Sequence, residues 1–317
     1  MSPSAESAEA TGAAEAAAGR GRAELSEGAR QERRLGLLLC APAVVVMVAV
    51  TAYPIAYAVY LSLQRYDLRF PGQAHWVGLS NYGAVLSSPF WWQALWVTVL
   101  ITVVSVAVEL VLGMALALVM HRAVFGRGTV RTAVLIPYGI VTVVAAYSWQ
   151  YAWTPGTGYL AALLPAGSAP LTDQWQAIGL IILAEVWKTT PFMALLLLAG
   201  LALVPGETVR AAMVDGANFW QRLRLVILPL MKPAILVALL FRTLDAFRIF
   251  DNIYVLTGGS NDTGSVSILG YDNLFTALNL GIGSAISVLI FLCVAVIAFC
   301  FIKIFGASAP GGEPERR

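Results

Sequence analysis

Six long apolar stretches, at roughly residues 35–63, 94–120, 132–153, 177–204, 231–256 and 283–305, restrict this chain more than any short motif in it. Each exceeds the ~20 residues that a helix needs to cross a bilayer. Helix is the form such a stretch must take, because backbone groups in lipid have to find partners within their own segment. Pro42 and Pro54 in the first stretch and Pro191 in the fourth are expected to kink their helices, with neighbouring helices absorbing the freed carbonyls. Composition agrees: 59% of the 317 residues are hydrophobic and only 12% charged, where soluble domains carry roughly 25% charged residues. The expected class is all-α and polytopic, with six transmembrane helices.

Lys and Arg placement sets the orientation. The segment before the first stretch holds Arg20, Arg22, Arg30, Arg33 and Arg34. The second connection holds Arg122, Arg127 and Arg131, the fourth holds Arg210, Arg222, Arg224 and Lys232, and the C-terminal end holds Lys303, Arg316 and Arg317. The alternate connections have Arg65 and Arg69 in the first and none in the others. Both termini are therefore expected in the cytoplasm. Residues 1–34, rich in Ala, Gly, Glu, Ser and Arg, read as a disordered tail with no secretory signal core, and 306–317 as a second tail. On the far side, Trp76, Tyr82, Phe90, Trp91 and Trp92 suit anchoring at the membrane interface. Cys40, Cys293 and Cys300 lie in apolar runs and read as small buried hydrophobes, outside any disulfide or metal site. A net charge of +2, with the basic residues sorted by topology, points away from nucleic acid.

The fifth stretch carries four formal charges, Arg242, Asp245, Arg248 and Asp251, followed by Asn252. Such charges facing lipid would cost several kcal/mol. At helical spacing Arg242 meets Asp245 and Arg248 meets Asp251, each i,i+3. Two readings stay open: ion pairs stitching this subunit to a neighbour, or a polar pathway for a hydrophilic solute. For the pathway, acids, guanidinium groups, an amide and the rings of Phe247, Phe250 and Tyr254 are what a sugar needs, since hydroxyls donate and accept while sugar C–H faces stack on rings. Glu185 and Lys188 form a further i,i+3 pair in the fourth stretch, and Glu109 stands alone in the second, where a partnered or protonated structural role is expected.

Between the fourth and fifth stretches, residues 205–229 form an amphipathic island. Pro205, Gly206, Glu207 and Thr208 supply helix-start signals. Gly216 suits a helix end or sharp bend, and a second short helix follows, closed by Pro229 and Pro233.

The run Arg210-Ala211-Ala212-x-x-Asp215-Gly216-Ala217, with Trp220 and the ending Ile227-Leu228-Pro229, resembles the loop of ABC importer permeases that carries Glu-Ala-Ala-x-x-x-Gly. Arg210 stands where that family usually has Glu. The run from Phe247 to Gly259, the opening run from Pro42 through Tyr53-Pro54 to Ser62-Leu63, and Gly78-Leu79-x-Asn81-Tyr82 are similar to carbohydrate permeases of the maltose type. Within that family the resemblance reaches the first permease subunits of actinobacterial trehalose importers. It implies a type I ABC importer permease fold over 35–305 in a bacterial inner membrane, with 205–229 as the loop that couples to an ATPase. It implies a heterodimer with a second permease, an ABC ATPase dimer that binds the ATP and Mg, and an extracytoplasmic sugar-binding lipoprotein. This chain itself would hold no cofactor. The cargo implied is a sugar, a disaccharide such as trehalose, held in part by Asp245, Arg248, Asp251 and Asn252.

Other classes fit less well. The two histidines, His75 and His121, fall on opposite sides of the membrane, and no nucleophile–base pair or metal cluster stands out, so no catalytic residue is assigned. None of Lys188, Lys232 and Lys303 follows a glycine as in a phosphate-binding loop. The rival is an ion- or proton-coupled secondary transporter of a polar solute using Glu109, Glu185 and the fifth-stretch charges; the inverted repeats that would favour it are not evident. The topology is testable. In a background without the native cysteines, a cysteine at Ser260 should react with an impermeant thiol reagent from outside intact spheroplasts, and one at Gly126 should not; labelling at Gly126 would overturn the orientation.

Overall fold

The computed structural model describes residues 32, 34–36, 38–70, 72–122, 127–165 and 167–306. The expected tails at 1–34 (apart from residues 32 and 34) and beyond 306, with their basic residues, and Gly126 lie outside the described residues. Helix α1, Arg34–Ser62, is apolar enough to span a membrane. Its residues up to Ala58 form a unit of their own, with Tyr53 and Tyr57 stacked one turn apart. Cys40 lies on this helix and is exposed, as Cys300 is on the last one. Neither is the buried small hydrophobe expected, because the apolar runs that hold them present these faces outward.

The second unit begins at Val59. A two-stranded antiparallel hairpin pairs β1, Gln64–Arg65, with β2, His75–Trp76. Then come α2, Ser80–Ser87, and the long α3, Pro89–Arg122. Its span packs most extensively against α6, Gln174–Ala202. Asp173 caps α6 by accepting from the Gln176 N–H at 3.0 Å. Pro191 sits inside α6, where Thr189 and Thr190 donate to the carbonyls of Glu185 and Val186 on the preceding turn. The last helix, α12, Leu280–Gly306, is apolar along its length.

The third span differs from the continuous helix expected over 132–153. It is two helices, α4, Arg127–Gly139, and α5, Thr142–Ala152, whose span-forming parts are bent by 87° at the break between them. Pro137 and Gly139 weaken the end of α4, and Val141 takes an extended backbone (φ −57, ψ 132) that no helix accepts. The fifth span is also interrupted. Helix α9, Leu228–Ala246, ends before Phe247, and a short α10 restarts at Asp251–Leu256. At its other end, Pro229 and Pro233 do not terminate the preceding helix. A wide π turn over Leu223–Ile227 joins Phe219–Arg222 to α9, and this widened turn accommodates Pro229 in the first turn of α9.

Trp91 is also not the interface anchor expected. It is 2% exposed and packs with Val85, Phe247, Val266 and Ile286, while Trp76, Phe90 and Trp92 stay exposed. This cluster joins α2, α3 and α12 to the short helix α11, Val266–Tyr271. The start of α12 meets the hairpin so closely that Gly281 has no room for a side chain: a Cβ there would lie 2.2 Å from the Gln64 carbonyl oxygen. Asn81 holds the same corner, donating to the carbonyls of Ser62 and Gln64 at 2.8 Å each. Gly281→Ala should therefore cost about 1–3 kcal/mol by overpacking and lower the thermal stability of the purified protein. Gly179→Ala on α6, with nothing within 4 Å of its Cβ, is the matched control and should leave the melting temperature unchanged or raise it; equal melting curves for the two variants would refute the close approach.

Candidate functional site

A single guanidinium organises the interior. Arg242 on α9 is fully buried, as is Glu109 on α3. Its Nη2 donates to Glu109 Oε1 at 3.0 Å and to Glu185 Oε1 at 2.6 Å, and its Nε donates to Glu109 Oε2. Nη1 donates to Asp245 Oδ2 at 2.8 Å. Thr189 completes the cluster: its hydroxyl oxygen lies 3.0 Å from Arg242 Nη2 and 2.8 Å from Glu109 Oε1. Asn252 on α10 donates to the second oxygen of Glu185. Three helices and the restart of the fifth span are thereby joined by one charged network, with the forked donors of Arg matching the carboxylates.

Beside this network lies a cavity of about 560 Å³. Glu185, Lys188 and Thr189 of α6 line it, together with Asp245, Arg248, Asp251 and Asn252 of the fifth span. Tyr138 and Phe250 add ring faces. All four residues expected at a sugar site thus border one space, and they do so in different ways. Asp245 is largely exposed although bonded to Arg242, Arg248 is exposed, Asp251 half-buried and Asn252 buried.

Two expected pairings are absent among the ion pairs of the described residues. Arg248 does not pair with Asp251, because the helix stops at Ala246 and the i,i+3 geometry between them is lost. Lys188 does not pair with Glu185. Its ammonium donates to the Ile140 carbonyl at 2.7 Å and lies 5.8 Å from the Tyr138 ring centre. The Arg242–Asp245 pair forms as the spacing implied. The contacts that spacing could not reveal are those from Arg242 to Glu109 and Glu185, which are 133 and 57 positions away in the chain.

The amphipathic island forms the helix–bend–helix expected. Helix α7, Gly206–Val214, ends in a left-handed Gly216 (φ +80). The Ala217 N–H reaches the Ala212 carbonyl at 2.9 Å and the Gly216 N–H reaches Met213 at 3.1 Å, a glycine-dependent helix stop. Asn218 then caps α8, Phe219–Arg222: its side chain accepts from the Gln221 N–H at 2.9 Å while the Gln221 side chain accepts from the Asn218 N–H at 2.7 Å. Arg222 donates to the Ala217 carbonyl at 2.6 Å and locks the bend. Arg210, Ala211, Asp215 and Gly216 are exposed, and Ala212 and Ala217 half-buried. Val214 and Trp220 are 88% and 72% exposed, an apolar surface that the described residues leave uncovered.

Residues 77–309 match the family described as binding-protein-dependent transport system inner membrane component. A trehalose transport system permease protein, SugA, of Mycobacterium tuberculosis is 71% identical over 286 residues, covering 90% of this chain and 93% of that protein. A trehalose/maltose transport system permease protein, MalF, of Thermococcus litoralis is 40% identical over 280 residues, covering 86% and 94%. The fold is similar to a chain in the crystal structure of a bacterial ABC transporter involved in alginate import, with a TM-score of 0.74 at 20% identity over 89% of this chain and 98% of that one. The chain belongs to the binding-protein-dependent transport system inner membrane component family, the membrane-spanning permease subunits of ABC importers.

Proposed function

We propose that this chain is one of two permease subunits of an ATP-driven trehalose importer. The observation that carries this reading is the cavity lined by Asp245, Arg248, Asp251 and Asn252 together with Glu185 and Lys188, in a chain 71% identical to a trehalose permease. A polyhydroxy solute matches such a lining, since every hydroxyl can both donate and accept. Acids and cations are interspersed in the walls, with Glu185, Asp245 and Asp251 beside Lys188 and Arg248, so no single sign is gathered as a site for an ion would need. Asp245, Arg248, Asp251 and Asn252 contact the sugar in this reading, and Arg242 holds Glu185 and Asp245 in place without touching it. Support for an ion-coupled rival is lost with the family, whose members depend on a binding protein.

The second permease supplies the remaining walls, an extracytoplasmic sugar-binding lipoprotein delivers the sugar, and an ATPase dimer binds ATP and Mg. Residues 205–229 dock on that ATPase from the cytoplasmic side, with both termini on the same side. Arg210, Ala211, Ala212, Asp215, Gly216 and Ala217 form the coupling surface, with the exposed Val214 and Trp220 as its apolar contact.

Uptake of radiolabelled trehalose by liposomes carrying the assembled importer tests the cavity. Alanine at Asp245, Arg248 or Asp251 should raise the uptake KM ten- to a hundredfold, the equivalent of roughly 1.5–3 kcal/mol for a hydrogen bond to a charged group, with normal assembly. Arg242→Met should behave differently. It strands Glu109 and Glu185 without their cation, a loss of about 3–5 kcal/mol, so the complex should fail to assemble. Unaltered KM in all three cavity variants would remove the sugar site from these residues.

The coupling surface has its own test. Proline cannot adopt the φ of +80 found at Gly216. Gly216→Pro should therefore leave membrane insertion intact and reduce sugar-stimulated ATP hydrolysis and uptake at least tenfold; normal coupling in that variant would contradict the assignment.

A further inference from the structure

A second cavity, of about 340 Å³, also borders the α4–α5 break. It is at the small end of the ~300–1,000 Å³ typical of small-molecule sites. Its walls carry Trp149 of α5, Trp187 of α6 and Tyr159 of the following connection, with the hydroxyl of Ser148, and no charged residue. The two indole rings meet edge to face, with centres 5.9 Å apart and planes at 65°. Trp187 and Tyr159 are 38% and 66% exposed, so their rings are open to a ligand. Ser148 donates to the Val144 carbonyl at 2.9 Å and keeps its lone pairs free to accept.

Ile140 lines both this cavity and the polar one. Its carbonyl is the one held by Lys188, and Lys188 is the next residue after Trp187. The aromatic cavity and the polar cavity are therefore neighbours across one residue of non-helical backbone. Uncharged rings with interspersed hydroxyls suit the C–H face of a hexose, which stacks on aromatic surface while its hydroxyls find Ser148 and Tyr159. A lipid chain would use the rings but leave those hydroxyls without a role. The connection holding Tyr159 lies on the side from which the sugar enters in the import reading.

We propose that this aromatic cavity is a second carbohydrate subsite, which takes one hexose ring of the sugar ahead of the polar cavity; the proposal rests on the sugar-import reading above. The test uses the whole importer in liposomes, with trehalose uptake measured for Trp187→Leu, Trp187→Phe and Tyr159→Ala. Trp187→Leu and Tyr159→Ala should each raise KM about five- to tenfold with kcat nearly unchanged, and Trp187→Phe, which keeps a ring, should stay close to the parent protein. A parental KM in Trp187→Leu would mean that apolar filling suffices, as for a lipid chain, and would overturn the subsite. So would a fall in kcat with KM unchanged. Where Trp187→Leu does not assemble, Tyr159→Ala decides, since it alters an exposed connection. Failure of the unaltered importer to carry trehalose would sink the sugar-import reading and this one with it; import by the unaltered protein with parental kinetics in both variants would sink the subsite alone.

Discussion

The interior of this protein depends on one buried guanidinium and the acids around it. Arg242 is 0% exposed and touches Glu109 of α3, Glu185 of α6 and Asp245 of its own helix. A charge at that depth is tolerable only when its donors are matched, and here every side of the fork has an acceptor. Replacing such a cluster by apolar residues is often neutral for stability. Its value therefore lies in geometry: three helices that lipid would let slide are fixed in one register. The polar wall formed by Glu185, Thr189 and Asn252 is a consequence of that register.

The cavity exists because helices stop beside it. Lipid-facing helices cannot break, whereas backbone lining an internal space can. At the α4–α5 break the Ile140 carbonyl is satisfied by Lys188 at 2.7 Å. At the α9–α10 break Ser265 donates to the Ile249 carbonyl at 2.9 Å, and at the far end of α10 Gln150 donates to the Val255 carbonyl at 2.6 Å. Polar side chains reaching from distant helices thus pay for the missing helical bonds. The charged residues at the second break, Arg248 and Asp251, are released from helical pairing and left to face the cavity.

The same helix that anchors the cavity leads to the exposed loop. From Leu228 at the start of α9 to Arg242 is 14 positions, or about 21 Å at ~1.5 Å per residue. The π turn before Leu228 joins that helix directly to α8, so the capped bend at Gly216 and the charge cluster sit at two ends of one nearly continuous rod. No flexible linker intervenes between the loop and the residues that line the cavity.

Much of this was legible in the residues themselves. Length and apolarity determined the membrane helices, because lipid leaves backbone groups no other option. The bend at Gly216 followed from short-range chemistry, a glycine stop and an Asn cap that neighbours in sequence complete. Arg242 meeting Asp245 followed from helical spacing. Tertiary structure decided what spacing could not. Trp91 is core because α12 and the Val266 helix cover it, although its aromatic run reads as an interface. Pro229 begins a helix where it was expected to end one, since a π turn absorbs the strain. Arg248 and Asp251 do not pair because the helix breaks between them, and Arg242 finds Glu109 and Glu185 only when α3, α6 and α9 pack. Backbone satisfaction in lipid is local and can be read along the chain; neutralising a buried charge needs partners from whichever helix the fold brings near.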